Sequence, residues 1–87
     1  MRLTGFLIYD GRNLRNASIS NDNTDRCFHD RLEDSFVSLC KELGISVPVW
    51  LKKNTKELAM CKKTSFFKDQ FYDDFIYERF EIRLDKL

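Results

Sequence analysis

Arg2-Leu3-Thr4-Gly5-Phe6-Leu7-Ile8-Tyr9-Asp10-Gly11-Arg12 is the most informative run in this chain. An extended stretch rich in Leu, Phe, Ile and Tyr meets an Asp-Gly pair, and a second extended stretch follows. Asp-Gly between two such runs is the strongest short-range hairpin signal, because a tight two-residue turn needs positive φ at both central positions. Strands over 2–9 and 12–20 are therefore predicted. The first carries apolar residues on both faces, Leu3, Leu7 and Tyr9 against Phe6 and Ile8, which suits a central strand covered on more than one side. The second sets Leu14, Ala17 and Ile19 among Arg12, Asn13, Arg15, Asn16 and Ser18, the polar content of an edge strand.

Outward from the hairpin, Asn21-Asp22-Asn23-Thr24 is loop and cap material. Phe28, Leu32, Phe36, Leu39, Cys40 and Leu43 then recur at spacings of three and four, predicting a helix over 25–43. Thr24 or Asn23 would cap it, Asp25 would sit in its first turn, and Gly44 would end it in a left-handed conformation. Val47-Pro48-Val49-Trp50-Leu51 reads as an extended connector, with Trp50 pinning it onto the core. Asn54-Thr55-Lys56-Glu57 has the form of a cap with Glu three residues on, opening a short helix to about Lys62 with Leu58 and Cys61 facing inward. Lys68 to Asp74 could form a short helical turn. Arg79 to Asp85 alternates, with Phe80, Ile82 and Leu84 on one face and Arg79, Glu81 and Arg83 on the other, as in a half-buried strand.

The expected fold is α+β, a single domain over 1–87. Its elements run ββααβ, with a three-stranded antiparallel sheet in spatial order two-one-three and one main and one short helix packed on it. Its weak point is the second face of the sheet, where Phe6 and Ile8 need cover from the 45–76 segment or from a second copy of the chain.

Composition bounds the function. A mass of 10.4 kDa with 43% apolar residues supports one modest core, and area scaling gives about 5,400 Å² of surface when folded. Eight Phe, three Tyr and one Trp argue against disorder. No apolar run reaches the roughly 20 residues of a membrane span, and the opening residues do not read as a signal peptide. Cys27, Cys40 and Cys61 are an odd, dispersed set, which fits a reduced cytoplasmic setting better than a disulfide framework.

Catalytic and metal-binding patterns are weak. Cys27 and His29 are two positions apart near a helix start, where their side chains diverge by about 200°. Cys27, His29 and Cys61 match no familiar metal spacing, and Asp30 with Asp34 falls on a polar helix face. No glycine-rich phosphate loop is present. Neither an enzyme nor a cofactor- or metal-binding protein is expected.

The charges are more suggestive. Segment 52–68 carries Lys52, Lys53, Lys56, Lys62, Lys63 and Lys68 against Glu57 alone, whereas 69–87 is net acidic. Phe66, Phe67, Phe71, Tyr72, Phe75, Tyr77 and Phe80 crowd the region that follows the lysines. Aromatic rings rimmed by charge describe a protein–protein surface, and the contact candidates are Phe67, Phe71, Tyr72 and Phe75 with Lys52, Lys53 and Lys56 at the rim. A homodimer would be the economical use of such a surface. The alternative is a nucleic-acid-binding module using the Lys52–Lys68 basic patch and neighbouring rings. Against it, 52–68 contains no arginine, and the whole chain has a net charge of +1.

Pro48-Val49-Trp50-Leu51-Lys52-Lys53-Asn54, followed by Lys63-Thr64-Ser65-Phe66, Phe71 and Phe80-Glu81-Ile82, resembles stretches of a group of small uncharacterised proteins from anaerobic Gram-positive gut bacteria. In that group an acid commonly follows the Trp-Leu pair, where this chain has Lys52. The resemblance implies no activity and no site residues.

Overall fold

The hairpin forms at the Asp-Gly pair. In the computed structural model, which describes residues 1–22 and 25–85, Asp10 and Gly11 both take positive φ, 53° and 73°, between strands β1 (Arg2–Tyr9) and β2 (Arg12–Ser20). The register slips once, between Leu7 and Ile8. Leu14 is the extra residue of a bulge and is exposed.

The sheet has four strands, which corrects the expected three. Helix α1 (Phe28–Leu43) and helix α2 (Lys52–Cys61) are followed by β3 (Lys63–Phe66), a single 3-10 turn (Lys68–Gln70) and β4 (Arg79–Asp85). The order is β2-β1-β4-β3, all antiparallel. The last strand does lie against the first, with Leu3 opposite Leu84 and Leu7 opposite Phe80. The added strand β3 extends the sheet beyond β4, pairing Thr64 with Ile82 and Phe66 with Phe80. Four residues reading Lys-Thr-Ser-Phe carry no apolar alternation, because the inward position at Thr64 holds a polar side chain.

Register fixes which side chains share a face. Leu3, Leu7, Phe66, Phe80, Ile82 and Leu84 point to one side and join Phe36, Leu39, Cys40 and Leu43 of α1 and Leu58 of α2 in a single core. Gly5 lies on this face. A Cβ there would stand 2.8 Å from both Leu39 Cδ2 and Phe80 Cε1, so the absent side chain is what lets α1 settle on β1. The accessible surface is 5724 Å², near the value expected from mass.

The helix ends differ from expectation in detail. Helix α1 starts at Phe28 with Cys27 as N-cap, and Asp30 takes the first-turn acidic position assigned to Asp25. The caps expected at Asn23 and Thr24 lie outside the described residues. Gly44 ends α1 at φ 73° and returns its N–H to Lys41 O. Helix α2 opens three residues earlier than the cap reading gave, so Asn54 is its third residue and not its cap. Leu58 faces the core, whereas Cys61 is exposed, correcting its inward assignment.

Asn54 instead holds a junction together. Its Oδ1 accepts from Leu51 N–H (2.9 Å) and Gln70 Nε2 (3.0 Å), and its Nδ2 donates to Thr64 Oγ1 (2.8 Å) and Ser65 O (3.1 Å). Gln70 also donates to Val49 O and accepts from Phe67 N–H. The Thr64 hydroxyl donates in turn to Glu57 Oε1 (2.7 Å). Each hydrogen-bonding position of the Asn54 amide is therefore used, as a buried amide requires. Trp50 closes the junction from above, edge-on to Phe36 at 5.2 Å with its indole N–H on Thr55 Oγ1. Stretches 48–54 and 63–66 meet in this network.

Candidate interaction surface

The second face of the sheet covers itself with charge. Arg83 lies over the Phe6 ring at 4.8 Å and bonds Glu81 at 2.8 Å, and Arg79 reaches the same carboxylate at 3.9 Å. Ile8 is buried, and Phe6 is half-buried beneath the guanidinium. Over Phe6, where cover was expected from 45–76 or from a second chain, Arg83 of β4 lies on the ring, its long stem able to shield apolar surface while its head stays wet.

The aromatic segment divides. Phe71 and Phe75 are buried and stacked on each other, centroids 3.9 Å apart, so they are core and not available as contacts. Phe67 and Tyr72 are exposed, Tyr72 by 90%. The lysines divide as well. Lys52, Lys53 and Lys56 lie on the side of α2 away from Asn54 and Leu58; Lys62 is the α2 C-cap, and Lys63 sits on β3. Lys53 and Lys63 come together with Phe67 around a shallow depression of about 260 Å³, with Lys53 Nζ 5.4 Å from the ring centroid. Glu57 and Glu81 line the same depression and offset its charge.

A feature no single motif announced lies on the helix side. Between the first half of α1 and the 47–50 connector runs a groove of about 420 Å³, lined by Phe28, Leu32, Phe36, Val37, Val47 and Trp50. Phe28, Val37 and Val47 are 39%, 37% and 41% exposed along it. Phe28 and Val37 belong to the helix and Val47 to the connector, so only the tertiary fold makes them one strip.

Groups suited to chemistry are dispersed. Burial pushes the Cys40 thiol up to about 12, leaving it a small apolar core residue at neutral pH. Cys27 and Cys61 are exposed. His29, Asp30 and Glu33 can reach a common point at the start of α1, but His29 pairs with Glu33 at 3.7 Å and Asp30 with Arg26 at 4.0 Å. One helical turn brings such residues together on a wet surface without any ion. Among the described residues, no helix is long and apolar enough to cross a membrane. Compared with protein-family models, with curated proteins and with solved structures, the chain finds no match.

Proposed function

We propose that this protein is a small non-enzymatic binding module of a reducing, cytoplasmic compartment. It associates with a second copy of itself through the groove beside α1. The observation that carries this reading is the strip of Phe28, Val37 and Val47 flanking an apolar concavity. An apolar centre with a polar rim is how interfaces are built, and His29 and Glu33 supply that rim on the helix side. A two-fold axis beside α1 would let each copy lay its Val37 side against the other's Val47 side, an isologous contact that closes on itself.

The test is size-exclusion chromatography with light scattering over a dilution series, recording absorbance at 260 and 280 nm. A dimer that dissociates on dilution, and a monomer for Val37→Asp with unchanged circular dichroism, are expected. A wild-type monomer at every concentration contradicts the reading.

A second reading rests on a separate observation: Lys53 over Phe67 and Arg83 over Phe6 set two cation-covered rings on or beside the open sheet face. Single-stranded nucleic acid is held by such cations, and the exposed Phe67 ring offers a base a stacking surface. Copurifying 260-nm material released by salt would favour it.

A further inference from the structure

On the other flank of α1 lies a second cavity of about 410 Å³, between that helix and α2. We infer that it binds a medium-chain carboxylate, holding the anionic head at Arg31 and Lys62 and the hydrocarbon against Phe28, Leu32, Leu58 and Leu84.

Leu58 and Leu84 form a buried apolar floor, and Ala59 and Leu32 extend it. Arg31 Nε is buried and has no hydrogen-bond partner in the folded chain. Burying such a donor costs stability, and Arg31 itself lines the cavity, where the rest of its guanidinium is what a ligand can meet. Lys62, the α2 C-cap with a left-handed backbone at φ 61°, lines the same cavity. Among the described residues neither cation forms an ion pair, although the chain pairs most of its other arginines. Two cations at an apolar cavity with few other polar groups specify a ligand of the same make-up: one carboxylate on a hydrocarbon body. The volume lies within the range of about 300–1,000 Å³ typical of small-molecule sites. Phe28, Leu32 and Thr55 also border the α1 groove, so the two concavities are neighbours.

This proposal does not depend on self-association, and the two are tested apart by using both the wild type and Val37→Asp. Submicellar decanoate is titrated against each by calorimetry, with decanol as the uncharged control. One saturable site per chain is expected, with decanoate bound at least tenfold more tightly than decanol. Arg31→Met should weaken decanoate at least tenfold and leave decanol unchanged. Absence of saturable decanoate binding, equal affinity for the two ligands, or an Arg31→Met variant that binds decanoate as the wild type does would each overturn the proposal. The ligand comparison is made on unmodified protein, so it stands even if a variant fails to fold.

Discussion

Two places where α2 meets the rest of the chain are built on opposite rules. At its N-terminal end the Asn54–Gln70 junction is polar and complete, with every position on the Asn54 amide engaged. Along its flank toward α1 the contact is apolar and incomplete, leaving the cavity between the two helices and the orphaned Nε of Arg31. A satisfied buried network fixes geometry, because any displacement strands several partners at once. Unfilled apolar surface fixes nothing and costs stability, so it marks the side of the molecule open to something else. The function is therefore sought not in the lysine and aromatic strip of the sequence but in the two apolar concavities that border α1.

Substitutions can break this contrast. Asn54→Ala removes at one stroke the partners of Leu51 N–H and of one Gln70 Nε2 hydrogen and the amide bonds to Thr64 and Ser65, and should cost about 3 kcal/mol or more in urea unfolding. A loss under about 1 kcal/mol would mean the junction is not holding the helix. Gly5→Ala presses a methyl between Leu39 and Phe80 and should cost about 2 kcal/mol through overpacking. The orphan donor predicts the opposite sign: Arg31→Met should raise stability by about 1 kcal/mol, since no partner is lost with the buried Nε. Lys62→Gly, at a left-handed C-cap, should add roughly 0.5–1 kcal/mol.

The smallest effect separates core from surface by reactivity. Cys27 and Cys61 should react with a thiol reagent in the folded state and Cys40 only on unfolding. Because the Cys40 pKa is raised from 9.0 to about 12, folded and unfolded chains both keep its proton below about pH 9. Above that the unfolded chain ionises first, so stability falls with rising pH up to about 12, and Cys40→Ala should remove that component of the alkaline loss.

The elements best read from sequence were those whose signal is local. Asp10-Gly11 specifies a turn by its own conformational freedom, the periodicity through Leu43 specifies a buried helix face, and Phe80-Ile82-Leu84 specifies a strand. Strand β3 was not legible, because Thr64 is buried by its bonds to Asn54 and Glu57, partners set by tertiary structure. The same holds for Asn54. As a residue near a helix start it reads as a cap, and only the approach of Gln70 from sixteen positions away makes it a hub. Phe71 and Phe75 look like Phe67 and Tyr72 in sequence, yet one pair is core and the other surface. The groove strip joins Phe28, Val37 and Val47 across a helix and a connector, a grouping no periodicity contains.

Trp50 lines that groove and is the chain's single Trp, so its emission reports on the surface in question. The most direct measurement follows Trp50 emission and molar mass together across a dilution series. The account predicts that emission shifts to the red as the dimer dissociates, with the same midpoint as the mass. A mass transition with unchanged Trp50 emission would place the contact on another face, and a constant monomer mass would contradict self-association altogether.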